Sequence, residues 1–129
     1  MTLPQDALAL LARALMAWFF IVEGVLKLQT YSAVLDYMAG FGVPGSLLPF
    51  VIALEIAGGL AVLLGFFTRW AALGLAAFCT LTALLFHGNT ADANEFIHFG
   101  KNLTMAGGFL MLAAFGPGRW SLDARLGDR

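Results

Sequence analysis

The chain has 129 residues, enough for one compact unit. Of these 60% are apolar and only 12% charged, about half the usual globular share, and mean hydropathy is +0.86. So few charges cannot cover the surface of a soluble domain this small, so an integral membrane protein is indicated, and a solvated enzyme fold or a disordered tail is excluded.

Crossing the hydrocarbon core takes about 20 apolar residues in a helix. Four stretches qualify, at about 7–26, 47–67, 70–86 and 96–115. None alternates polar and apolar residues as a lipid-facing barrel strand would. The expected fold is therefore all-α, a transmembrane four-helix bundle forming a single domain over residues 1–129. The first stretch reads as a span and not a signal peptide: Asp6 makes its start acidic, and Glu23 and Lys27 fall where a neutral cleavage region would lie.

The connections differ in character. Between Lys27 and Ser46, Tyr31–Met38 predicts a short amphipathic helix at the interface, and Gly42-Val43-Pro44-Gly45 then breaks the chain. Thr68-Arg69 predicts a tight hairpin between spans two and three. Gly88–Glu95 is polar, and the tail from Gly116 is breaker-rich and charged. Four spans put both termini on one side, with Arg69, Arg119, Arg125 and Arg129, and Arg13 under two turns in. Lys27 and Lys101 lie near the other surface. The positive-inside rule then places both termini in the cytoplasm, as in a multi-pass protein of a bacterial inner membrane.

Span two contains Ala57-Gly58-Gly59 and ends in Arg69-Trp70; span four contains Ala106-Gly107-Gly108 and ends in Arg119-Trp120. Two explanations stay open. The bundle is a duplicated two-helix hairpin, or Gly-Gly serves close packing and Arg-Trp anchors a cytoplasmic helix end in each case.

Charge within a bilayer is costly, so each ionisable group there needs a partner or a task. Glu55 sits about 12 Å into span two with no charged neighbour on its own span. Its partner comes from another helix, or it is protonated. Arg13, Phe20 and Lys27 share one face of span one, and Glu23, four residues before Lys27, can pair with it. Glu23, Lys27, Glu55, His87, His98, Lys101 and Asn102 all fall in the outer half of the membrane and come from all four spans. One polar pocket lined by Phe20, Phe96 and Phe99 would satisfy them, and mostly apolar pockets with a few convergent polar groups are the usual form of small-molecule sites. The competing reading is a buried ion pair of Glu55 with Lys101 or Arg13 that sets helix register only. Arg13 has a further alternative, snorkelling to the cytoplasmic surface.

His87, Asp92, Glu95 and His98 have ligand chemistry suited to a transition metal, but their spacing matches no ligand motif, and solvated loop residues are the simpler reading. Cys79, the only cysteine, rules out an intramolecular disulfide and a Cys-x-x-Cys dithiol. It lies mid-span with no charged neighbour and reads as a packing residue. No catalytic set is evident, and a net charge of −1 leaves no basic excess for nucleic acid.

The ordered set Arg13, Gly24-x-x-Lys27, Gly42-Val43-Pro44, Glu55-x-x-Gly58-Gly59, Gly65-Phe66-Phe67-Thr68-Arg69, His87-Gly88, Phe99-x-Lys101-Asn102 and Gly116-Pro117-Gly118-x-x-Ser121-x-Asp123 resembles the DoxX family of small four-helix membrane proteins. The resemblance implies a membrane subunit of an oxidoreductase system that binds quinone or another lipophilic ligand, with a membrane or periplasmic redox partner. In that reading Lys101, His87, Lys27 or Asn102 would bind the ligand and Glu55 or Glu23 would relay a proton. With no dithiol and no evident redox centre, the chain would need a partner or a bound cofactor. The alternatives are a small-solute or ion carrier gated by Glu55 and Lys101, and a structural accessory subunit. The nearly apolar inner half counts against a carrier, and a chain this small would need a homo-oligomer to form one.

Overall fold

A computed structural model describes residues 3–127. Arg129, counted above among the cytoplasmic charges, lies outside them. Among the described residues every regular element is helical: α1 (Gln5–Gln29), α2 (Tyr31–Gly40), a 3-10 turn (Gly45–Leu47), α3 (Leu48–Leu64), α4 (Thr68–Phe86), α5 (Ala93–Phe115) and α6 (Leu122–Arg125).

Local chemistry sets the boundaries. Helix α1 begins after Pro4 and ends at Thr30, whose hydroxyl donates to the Leu26 carbonyl at 2.8 Å. It continues past the expected span, so Lys27 is helical and sits in the last turn, where a cation is favoured by the helix dipole. Helix α2 follows at once, where a short interfacial helix was expected, and extends to Gly40. Helix α3 stops at Gly65, which takes the left-handed conformation (φ 70°) and lets the Phe66 amide reach back to the Ala61 carbonyl at 2.8 Å. The α3–α4 turn is therefore Gly65–Phe67, and not Thr68-Arg69. Thr68 and Arg69 open α4, because Asp123 accepts hydrogen bonds from the Phe67 amide (2.8 Å), the Thr68 amide (2.9 Å) and the Thr68 hydroxyl (2.6 Å). Asp92 caps α5 by accepting from the Asn94 and Glu95 amides.

Three segments are long and apolar enough to cross a membrane: α1, Gly45–Leu64 and α4. Helix α5 has 23 residues, about 34 Å of rise. Its first half carries Asn94, Glu95, His98, Lys101 and Asn102, and it falls outside that set.

The helices pack as two hairpins, α1 on α3 and α4 on α5, joined mainly along α3–α4. Small residues permit the close approach. A Cβ on Gly59 would lie 2.8 Å from Ile21 Cγ1 and 3.3 Å from the Ala17 carbonyl oxygen. Gly108, its counterpart in the sequence echo, would place a Cβ 3.2 Å from Met16 Cε, the far end of a flexible side chain, and Gly107 has open space around it, so the two Gly-Gly pairs are not equivalent in packing. The middle of the bundle is closed by Ala17, Phe20, Val62, Leu75, Cys79 and Phe109. Phe20 and Phe109 meet edge to face at 5.3 Å. Leu15, Trp18, Leu84 and Met111 point outward, as suits a lipid surround.

The two hairpins share one device. Arg13 on α1 donates to the Leu63 carbonyl near the end of α3 (3.3 Å) and to the Trp120 carbonyl. Arg69 on α4 donates to the Ala113 (2.8 Å) and Ala114 (2.6 Å) carbonyls near the end of α5. Each arginine thus satisfies last-turn carbonyls that a helix leaves without partners. Arg13 is 1% exposed and neither snorkels nor reaches Glu55, because its guanidinium is committed to these carbonyls at the opposite end of the bundle.

Candidate functional site

A cavity of about 800 Å³ opens at the end of the bundle away from Arg13. Helices α1, α3, α4 and α5 form its walls and α2 its roof. All six residues expected to form a binding site line it: Glu23, Lys27, Glu55, His87, Lys101 and Asn102, together with His98. The rest of the lining is mainly apolar, including Phe19, Phe20, Phe78 and Phe86. Phe96 and Phe99, expected among the lining aromatics, are not part of it. His98, Lys101, Asn102 and Met105 recur at helical spacing and occupy the cavity face, which turns Phe96 and Phe99 elsewhere.

The charged centre is a trio. Lys27 Nζ lies 2.9 Å from Glu55 Oε1 and 3.3 Å from Oε2, with the hydrogen bond directed at Oε2. Glu23 Oε2 is 3.4 Å from the same nitrogen, one turn earlier on α1. Glu55 is 1% exposed and the Lys27 side chain 22%. The partner of Glu55 is therefore Lys27, and neither Lys101 nor Arg13. Gly24 makes this meeting possible. A Cβ there would stand 2.5 Å from Ile56 Cγ1 and 3.3 Å from Glu55 Cβ, so only glycine lets α1 and α3 close where the pair forms. Lys101 is exposed and makes no ion pair among the described residues. Asn102 donates to the His98 carbonyl at 3.1 Å.

On the far wall His87 Nδ1 lies 2.8 Å from Glu95 Oε2. The carboxylate accepts, which puts the hydrogen on Nδ1 and leaves Nε2 of a neutral ring as an acceptor. The His98 ring stacks on His87 with centroids 5.0 Å apart. Asp92 is occupied as the α5 cap. Among the described residues no group of three or more His, Cys, Asp or Glu is close enough to hold a metal ion.

The roof is the part that sequence reasoning missed. Tyr37 on α2 stacks on Phe86 of α4 at 5.4 Å, and Phe41 packs against both rings. Partial burial, with Glu95 nearby, holds the Tyr37 phenol above its ordinary value, so it remains a hydrogen-bond donor at neutral pH. The amphipathic pattern of Tyr31–Met38 marked a helix, but nothing in it indicated that the helix folds over the bundle end instead of lying flat on the lipid.

Outward-facing apolar helices around a few mutually paired charges define a class: a small, all-helical integral membrane protein. The DoxX family profile matches residues 8–88, and the chain belongs to that family. It is similar to Inner membrane protein YqjF of Escherichia coli (strain K12), 49% identical over 125 residues that cover 97% of this chain and 96% of the relative. It is also similar to Inner membrane protein YphA of the same organism, 40% identical over 129 residues, covering 94% and 91%. No solved structure matches it. The protein is a multi-pass inner-membrane protein embedded in the lipid bilayer.

Proposed function

We propose that the protein is the membrane subunit of an oxidoreductase system and binds a lipophilic ligand, a quinone by preference, in the cavity between α1, α3, α4, α5 and α2. The observation that carries this reading is the buried Lys27–Glu55 pair at the edge of a largely apolar cavity. Ionisable groups inside a bilayer are functional by default, and this one borders a space large enough for a ring and part of a tail. The residues fit such a molecule. Lys27 and Asn102 supply donors for an acceptor oxygen, His87 and Tyr37 add polar contacts at the mouth, and Phe19, Phe20 and Phe86 offer faces for a planar ring. A bound quinone would supply two-electron chemistry, and Glu55 or Glu23 would hold the proton that goes with it. A periplasmic or membrane-bound redox partner would exchange the electrons. A carrier is less well supported, since Phe20 packs edge to face on Phe78 and Phe109 and these rings fill the middle of the bundle beside the cavity.

The same reading includes the topology: four spans, with α5 as the fourth, both termini cytoplasmic and the cavity toward the outer face. Arg69, Arg119 and Arg125 at the terminal end, against Lys27 and Lys101 at the other, support it. A C-terminal green fluorescent protein fusion should fluoresce and an alkaline phosphatase fusion should be inactive; the reverse pattern overturns the orientation.

The binding test uses the purified full chain in a mild detergent. Ubiquinone-1 is expected to raise its unfolding temperature, and native mass spectrometry to find co-purified quinone. Glu55→Gln and Lys27→Met should insert normally and lose the protection. No thermal shift in the parent, with no retained quinone, defeats the proposal.

A further inference from the structure

At the opposite end of the bundle a second groove, of about 950 Å³, lies between the start of α1 and the Gly116–Trp120 segment; Leu3, Asp6, Arg69, Phe115, Arg119 and Trp120 are among its walls. Two guanidiniums border it, and neither is saturated. Arg69 gives Nη1 to the Ala113 and Ala114 carbonyls, yet its Nε is buried and meets no acceptor among the described residues. Arg119 gives Nε to Asp6 Oδ2 at 3.0 Å, and its side chain, 88% exposed, keeps both terminal nitrogens free of partners among those residues. Among the described residues Asp6 is the one carboxylate in the lining, so there two cations face one anion, a positive excess.

Guanidinium forks match phosphoryl oxygens in both geometry and charge. Beside them Phe115 and Trp120 are exposed, and Trp70 stands next to Arg69. Exposed aromatic rings beside cationic groups at the end of a transmembrane bundle lie at the depth of lipid headgroups. We propose that this groove binds the phosphodiester of an anionic phospholipid, with Arg69 and Arg119 donating to its oxygens and Phe115 and Trp120 against its glycerol and upper acyl carbons. The site stands apart from the quinone reading. Only the name of the leaflet, the inner one, rests on the topology proposed above.

Native mass spectrometry of the detergent-solubilised full chain tests it, with phosphatidylglycerol, phosphatidylethanolamine and inorganic phosphate added separately at matched concentration. Phosphatidylglycerol should remain bound at about tenfold lower concentration than phosphatidylethanolamine, one charge-assisted contact being of that order. Arg119→Gln and Arg69→Lys should each lower its retention about tenfold, the lysine because it keeps the charge and loses the fork. Arg125→Gln, outside the groove, should leave retention unchanged. Equal retention of the two lipids overturns the proposal, as does full retention by Arg119→Gln. If inorganic phosphate displaces phosphatidylglycerol at equal concentration, the site is one for soluble phosphate and the lipid assignment falls. Arg119 is a surface residue, so its variant decides the matter should Arg69→Lys fold poorly. Ubiquinone protection measured on the same samples keeps a failure of the cavity reading separate from a failure here.

Discussion

The two ends of the bundle treat buried charge in opposite ways. At the terminal end Arg13, Arg69 and Asp123 are joined chiefly to backbone groups: last-turn carbonyls of α3 and α5, and the first amides of α4. These bonds satisfy atoms that helices leave unpaired, so the charges hold the fold. At the cavity end Lys27, Glu23 and Glu55 are joined to one another, beside open space. A charge that completes a helix end has a structural task; one that pairs only with another side chain at a cavity has no backbone need to meet. Residue type and depth within a span look the same in both cases, and only the partner tells them apart.

The sharpest way to break this contrast is Lys27→Met. It strands Glu55, whose side chain is 1% exposed, and losing one member of a buried pair costs about 3–5 kcal/mol. Detergent unfolding titrations should show that loss. Asp123→Ala comes next. It leaves the Phe67 and Thr68 amides and the Thr68 hydroxyl without their acceptor, at a cost of about 3 kcal/mol, yet ubiquinone protection should survive. Its disappearance would show that the two ends are coupled and that the contrast is too simple. Glu55→Gln should cost only about 1 kcal/mol, since Lys27 keeps Glu23 and a neutral amide remains to be satisfied. A penalty as large as that of Lys27→Met would mean that Glu55 is not the group that burial strands. The smallest effect expected is a gain. Phe67 holds φ 45°, ψ 40°, a region that costs a non-glycine residue roughly 1 kcal/mol, so Phe67→Gly should raise the unfolding temperature slightly. A fall would show that the exposed ring contributes more as an interfacial anchor than its backbone loses.

Much of the architecture was legible in the residues. Long apolar runs broken by Gly-Pro and polar segments determine helices and their order, because a backbone in lipid must satisfy its own hydrogen bonds. The convergence of the polar set was legible too: seven residues from four helices line one cavity at one end of the bundle. The Glu23–Lys27 pair followed from its four-residue spacing, but the partner of Glu55 did not. Glu55 joins Lys27 because Gly24 lets α1 and α3 close at that level, and one missing Cβ is visible in a sequence only as a glycine among many. Arg13 was open to two readings, an ion pair with Glu55 or snorkelling, until its carbonyl partners, 50 and 107 residues away, were in view. Asp123 gave no hint that it caps a helix beginning 55 residues earlier. Periodicity and hydropathy are properties of neighbours along the chain, so the sequence by itself determined the helices, their order and, to within a turn, their ends. Which charge meets which, and whether a short helix lies flat or folds over a cavity, depends on contacts between distant segments, and only the tertiary structure decided those.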